Sequence, residues 1–226
     1  MSVGVKPPVE VLEETLVERY KAMAHALEPR PVDTVLRLVD IVLAAALLIV
    51  TAPAMALAAM AVRCTGRPVL YRGARVGKGG VVFTMYKFRT LTPDAELRLG
   101  AYVGPELTRL TETEVTRVGR ALRAYKLDEL PQLFNILRGE MSFVGPRPIR
   151  PVLFAELCHE IPQYWQRLVV PPGLSGFAQL RMTRDMTWAE KLVHDFEYIA
   201  DRSLSLYVHV LADTAWLVVR GHWSSS

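Results

Sequence analysis

From Ile41 to Val62 the chain carries no charged residue. About 20 consecutive apolar residues suffice to cross a bilayer as a helix, so this run is long enough for a span. Two features oppose a simple crossing. Pro53, after Thr51 and Ala52, removes a backbone donor near the middle and crowds the preceding turn. Arg30 and Arg37 precede the run, while Arg63, Arg67, Arg72 and Arg75 follow it. Lys and Arg collect on the cytoplasmic side of membrane segments, which places both ends on one face. The pattern predicts a helix that breaks at Pro53, enters the membrane and returns, with the Thr51 hydroxyl serving a carbonyl freed by the proline. A transmembrane span and a buried core helix stay open as alternatives. Asp40 follows Arg37 by three residues, which predicts a pair on one helix face at the interface.

Before this run, Val9, Leu12, Leu16, Tyr20, Met23 and Leu27 recur at spacings of three or four, so residues 9–27 read as an amphipathic helix. Its stripe needs the domain, lipid or another subunit as partner. After the run, Pro68–Tyr71 and Val81–Arg89 read as strands joined through glycines. Strand alternation puts Phe83, Met85, Lys87 and Arg89 on one face, where two cations can grip one anionic group. Gly77-Lys78 does not complete a phosphate loop: the spacing from Gly73 is one residue short and Gly79 stands where Ser or Thr is required. Residues 91–115 read as a mobile loop with a short helix near 95–99. Residues 162–170 have helical spacing, with Trp165 either at headgroup depth or turned to the core. Two more helices are expected over 186–200 and 203–220. The fold class is α+β and helix-rich, divided into an N-terminal extension (1–33), a membrane helix (34–62) and a cytoplasmic domain (63–226).

Composition narrows the partners. The 226 residues are 51% hydrophobic with a net charge of +4, enough for one core with apolar surface left over. A basic chain binds nucleic acid or an anionic membrane surface; the apolar run favours the membrane, and no zinc-finger spacing or aromatic RNA-binding signature is present. Cys64 and Cys158 form no CxxC pair and read as reduced thiols of a cytoplasmic domain. No apolar h-region precedes residue 38, so no cleavable signal is expected.

The chemistry concentrates at Leu127-Asp-Glu-Leu-Pro-Gln-Leu-Phe-Asn-Ile-Leu-Arg-Gly139. Asp128 is expected to cap a helix, with Pro131 in its first turn and Gly139 at its stop. Leu130, Leu133, Phe134 and Leu137 would form its buried stripe. The same pair of acids supports catalysis. An ionised Asp128 can attack phosphorus and form an acyl phosphate, and Glu129 can help hold Mg²⁺. Two unit charges at 4 Å repel by roughly 4 kcal/mol at an effective dielectric near 20, so attack on a diphosphate needs cations. Lys87, Arg89 and Arg147, the last between two prolines, are the candidates.

At these residues the chain resembles the bacterial sugar transferase family, the small monotopic phosphoglycosyl transferases. The resemblance covers roughly residues 34–220. It rests on Arg37 and Asp40, Tyr86-Lys-Phe-Arg-Thr90, Pro93-Asp-Ala-Glu96, Thr116-Arg-Val-Gly119, Leu127-Asp-Glu-Leu-Pro-Gln132, Gly139-Glu-Met-Ser-Phe-Val-Gly-Pro-Arg-Pro148, Pro172-Gly-Leu-Ser-Gly176 and Ala178-Gln179. It implies a monotopic enzyme on the cytoplasmic face of the bacterial plasma membrane, with a re-entrant helix and interfacial amphipathic helices. The implied reaction moves a phosphosugar from a UDP-sugar to polyprenol (undecaprenyl) phosphate, the first membrane step of glycoconjugate or exopolysaccharide synthesis. It implies Mg²⁺, held by Glu129 and Asp128, and a covalent intermediate on Asp128 that forms as UMP leaves. Lys87, Arg89 and Arg147 would steady phosphate oxygens. Membrane lipid is a partner, nucleic acid is not, and homodimer formation stays open. Two departures stand out. Many relatives carry Asn-Gly-Arg-Asn where this chain has Arg181-Met-Thr-Arg184, and an acid where it has Ser205-Leu206-Tyr207. They motivate one alternative, a catalytically weak membrane scaffold of a polysaccharide-assembly complex.

Overall fold

The computed structural model describes residues 30–95, 98, 110–181 and 186–220. The amphipathic pattern over 9–27, most of the loop between 96 and 109, and residues 182–184 lie outside the described residues. The apolar run belongs to one helix, α1 (Pro31–Cys64), 34 residues long. It stays helical through Pro53, where a break was expected. A proline deletes one hydrogen bond and strains one turn, and here the turns on both sides hold. The Thr51 hydroxyl donates to the Leu47 carbonyl at 2.6 Å, within its own turn. The buried-core alternative is excluded: only 11% of the most apolar 18-residue window is buried, and Val42, Ile49, Val50, Leu57 and Met60 all face outward.

Both ends of α1 are fastened to the rest of the chain. At its start, Arg30 donates to the Ala200 carbonyl at 2.8 Å and Arg202 pairs with Asp33 at 2.6 Å. Arg37 and Asp40 do not pair with each other as expected. Arg37 donates to the carbonyls of Ile136 and Leu137. Asp40 Oδ1 accepts from the Phe143 N–H at 2.9 Å, the Ser142 hydroxyl at 3.1 Å and the Tyr207 hydroxyl at 2.5 Å. A buried carboxylate demands such partners, and tertiary donors outcompete a local ion pair. At the far end, Ala58 and Val62 pack with Phe88 and Leu122.

A hairpin follows: β1 (Leu70–Val76) and β2 (Val82–Phe88) pair antiparallel, with Tyr71 opposite Lys87 and Arg75 opposite Phe83. The first strand runs further than its sequence suggested, through Gly73. Helix α2 (Arg117–Ala124) and helix α3 (Gln132–Arg138) flank the acidic turn. Gly139 ends α3 at φ 83°, a left-handed conformation that glycine adopts without steric cost. Next come β3 (Ser142–Val144) and α4 (Pro151–Glu160), then β4 (Gly173–Ser175), which pairs parallel with β3. Short α5 (Phe177–Arg181), α6 (Trp188–Asp201) and α7 (Leu204–Val219) complete the fold. The helix-rich α+β class is as expected. One core joins Leu36 and Ala44 of α1 to Phe83, Met85, Leu133, Ile136, Phe143, Tyr198 and Tyr207. A second gathers Val76, Ile149, Phe154, Tyr164, Leu168 and Leu192. Residues 164–169 form a 3₁₀ turn whose Tyr164 and Leu168 enter this core, with Trp165 against it. The core reading of that segment holds over the interfacial one, since buried Arg167 and Asp195 pair there at 2.7 Å and tie the turn to α6.

Candidate active site

The acid pair is set by the turn before it. Lys126 has φ 57°, a left-handed value that costs a non-glycine residue on the order of 1 kcal/mol. This swings the chain from α2 into a 3₁₀ turn, Leu127–Glu129. Asp128 therefore does not cap α3, contrary to expectation. Pro131 occupies the cap position and no side chain caps the helix. The buried face of α3 is also shifted: Gln132, Leu133, Asn135 and Ile136 are buried, while Phe134 is 47% exposed. Asn135, which periodicity treats as a polar outsider, locks α3 to β2. It accepts from the Tyr86 N–H at 3.1 Å and donates to the Thr84 carbonyl at 2.7 Å and to Glu140 at 2.6 Å. That lock brings Glu129 to Lys87, where the Lys87 amine donates to Oε1 at 2.6 Å.

The two carboxylates are driven in opposite directions. Burial alone would raise the Glu129 pKa, yet the charges of Lys87 and Lys126, the Lys87 hydrogen bond and the charge of Arg147 push it down to about 2. For Asp128, burial and the negative Glu129 raise the pKa against Lys87, Lys126 and Arg123. Asp128 is only 7% exposed, and among the described residues its Oδ1 has no hydrogen-bond partner. Gln132 Nε2, four residues on, has none either. Buried polar atoms are almost always partnered, so each of these two atoms is left able to take a polar ligand or water.

Three of the expected residues meet here: Asp128, Glu129 and Lys87. Arg147 acts on the same site through its charge on Glu129 and Lys126. It follows β3, held where the Gly145 N–H donates to the Ser175 carbonyl and the Gly173 N–H to the Pro146 carbonyl, both at 2.9 Å. Arg89 is the correction. Strand β2 ends at Phe88 and Arg89 turns inward, 7% exposed. Its guanidinium donates to the carbonyls of Pro68, Leu91 and Val62 and to the Thr65 hydroxyl. With four of its five N–H donors engaged by the chain, it acts as a clamp on the end of α1 and lies apart from the cluster at the acid pair. Thr51 and Pro53 sit mid-helix in α1, far from the acid pair along the chain, and Arg37 and Asp40 anchor the start of α1.

Two cations were missed, Arg123 and Lys126. Both lie in Arg123-Ala-Tyr-Lys126, directly ahead of the acids, and that proximity was the available signal. Arg123 is aimed by a small hook. Thr116 caps α2 through the Gly119 N–H at 2.9 Å, and its own N–H donates to the Thr90 carbonyl at 3.0 Å. Gly119 lies so close to that carbonyl that a Cβ would stand 2.0 Å from it. The hook lets Arg123 donate to the Thr90 hydroxyl at 3.0 Å.

The family model described as bacterial sugar transferase matches residues 32–221. The chain is 34% identical over 225 residues to a UDP-N-acetylgalactosamine-undecaprenyl-phosphate N-acetylgalactosaminephosphotransferase of Aeromonas hydrophila, covering 94% of this chain and 52% of that protein. It is 39% identical over 181 residues to a UDP-glucose:undecaprenyl-phosphate glucose-1-phosphate transferase of Caulobacter vibrioides, covering 76% and 65%. It is 33% identical over 194 residues to an undecaprenyl-phosphate galactose phosphotransferase of Salmonella typhimurium, covering 81% and 40%. The chain thus belongs to the bacterial sugar transferase family. It spans less than two thirds of each of these relatives' length. The three are named for three different sugars at similar identity, so similarity alone does not select the sugar.

Proposed function

We propose that this chain transfers a sugar phosphate from a UDP-sugar to polyprenol phosphate at the cytoplasmic face of a bacterial membrane, through an intermediate on Asp128. The observation that carries this reading is the buried Asp128 carboxylate with an unpartnered oxygen, beside an ionised Glu129 and within reach of the charges of Lys87, Lys126 and Arg123. In the first step an Asp128 oxygen bonds to the sugar-bearing phosphorus. The bridging P–O bond breaks and its electron pair leaves with UMP. In the second step an oxygen of polyprenol phosphate attacks the same phosphorus, and the aspartyl–phosphorus bond breaks to restore the carboxylate. The surrounding cations offset the repulsion that an anion attacking an anion would otherwise meet.

The donor set also fits Mg²⁺. Among the described residues no three His, Cys, Asp or Glu side chains gather to hold a metal. Mg²⁺ is commonly held by one or two carboxylates together with substrate phosphates and waters, and Asp128 and Glu129 supply that pair. When bound, it would offset charge on the diphosphate. Lys87 would hold Glu129 in place, and Gln132 would donate to a phosphate or sugar oxygen.

Re-entry of α1 is supported by its attachments. Arg37 and Asp40 at one end and Val62 at the other bind one folded body, while the apolar middle is left uncovered. A crossing helix would carry these ends to opposite sides of the bilayer. On α7, the outward Leu204, Val208 and Trp216, with Arg220 4.0 Å above the Trp216 ring, suit a helix lying at headgroup level. Each buried methylene of a lipid chain contributes about 0.8 kcal/mol, so the acceptor stays in the membrane and the enzyme must meet it there. Tyr207 donates to Asp40 at 2.5 Å, which gives this side chain a structural task in the fold. Incubation with Mg²⁺, a panel of UDP-sugars and polyprenol phosphate tests the proposal: UMP is released with at least one donor. No release across the panel returns the chain to the scaffold reading.

A further inference from the structure

Helix α3 opens directly behind the acid pair and leaves one face uncovered. Leu130 (φ −53°, ψ −36°) and Pro131 (φ −60°, ψ −18°) already hold right-handed helical angles, so helical spacing starts at Leu130. Residues three and four apart then share a face. Gln132, Leu133, Asn135 and Ile136 turn inward. Leu130, Phe134, Leu137 and Arg138 turn outward: Phe134 and Arg138 are exposed, while Leu130 and Leu137 rest half-buried against the core. Arg138 is drawn aside onto Tyr86, donating to its hydroxyl at 3.1 Å and lying 5.4 Å from its ring centre. Three apolar side chains are left side by side, and among the described residues no ring or cation contact engages Phe134. Phe134 stands roughly 10 Å along the axis from Asp128.

The far end of this face meets the uncovered part of α1. Arg37 donates to the Ile136 and Leu137 carbonyls at the end of α3, and the exposed Leu38, Ile41 and Val42 follow it on α1. We propose that Leu130, Phe134 and Leu137 seat the first prenyl units of the acceptor, with Phe134 as a binding residue for the lipid half of the second substrate. The argument is one of connectivity. An acceptor oxygen must reach the phosphorus carried by Asp128, and the prenyl chain is attached to that same phosphate. Its first units therefore lie beside the acid turn. The chain offers two kinds of neighbour there: the cationic side chains of Lys87, Arg123 and Lys126, and the apolar face of α3. Hydrocarbon against the cations would strip them of water at a cost, whereas against α3 it removes apolar surface from water on both partners. This assignment rests on the proposed reaction for the identity of the acceptor.

The test places a photoreactive benzophenone side chain at position 134 of the full chain, in nanodiscs holding polyprenol phosphate in excess phospholipid. Irradiation should cross-link position 134 to polyprenol phosphate well above its share of the lipid. Cross-links that merely follow the lipid composition overturn the seat and give the face to bulk membrane. Kinetics supply the second reading. Phe134→Ala should raise the KM for polyprenol phosphate by about tenfold, leave loading of Asp128 by the donor alone unchanged, and recover largely as Phe134→Leu. Phe134 is exposed, so the variant should melt with the wild type. An unchanged acceptor KM overturns the proposal, as does an equal loss of donor-only loading. Failure of the reaction itself reads differently: the wild type releases no UMP with any donor, and the cross-link then decides the lipid seat by itself.

Discussion

Asp128 sits in a place that disfavours its own charge. Burial and Glu129 both raise its pKa, so an ionised Asp128 is worse off folded than unfolded. Asp128→Asn removes that penalty, and no cap is lost with it. The variant should keep or raise Tm while turnover falls by about 10³-fold or more, measured by melting curves and UMP release. A fall in Tm would contradict the electrostatic account. Glu129 runs the other way. Its folded pKa of about 2 lies below the ordinary 4.5. Its stabilisation is complete above about pH 4.5 and disappears as pH falls through about 2. Lys87→Met removes the ion pair and raises that folded pKa. Acid unfolding, followed by circular dichroism, should then begin at higher pH, with a loss near neutrality of about 1–3 kcal/mol.

At the scale of elements, Asp40 is the joint between α1 and the domain. It draws a hydroxyl from α7, a hydroxyl and an N–H from β3, and holds them all on Oδ1. Tyr207→Phe removes one charged hydrogen bond and should cost about 2 kcal/mol, read as a drop in Tm, with no change in the pH dependence of turnover. The helices, the hairpin and the acid pair were legible in the chain because their signals are local: periodicity, glycines, and two adjacent carboxylates between cationic segments. What was not legible is tertiary. Asp128 as a cap and Arg37 with Asp40 as a pair were reasonable by spacing, but the fold offers each a different environment. Arg89 looked like a strand cation because alternation assumes the strand continues; it ends one residue earlier. Asn135 carries no periodic signal, and only the packing of α3 on β2 gives it its task.

For the whole molecule, the seat in the membrane and the chemistry depend on each other. If α1 re-enters, its two ends face the same compartment. Cys64 near one end and Val35→Cys near the other, in a Cys158→Ala background, should both react with an impermeant maleimide from the cytoplasmic side only. Labelling from opposite sides would establish a span. High salt should leave the protein on the membrane, because salt screens exposed charges and not buried apolar surface. The central claim is chemical, and mass spectrometry of enzyme quenched with its UDP-sugar alone tests it most directly. The account predicts a phosphosugar mass added to the peptide containing Asp128 and absent from Asp128→Asn. An unmodified peptide, with UMP appearing only when donor and acceptor are both present, would contradict it.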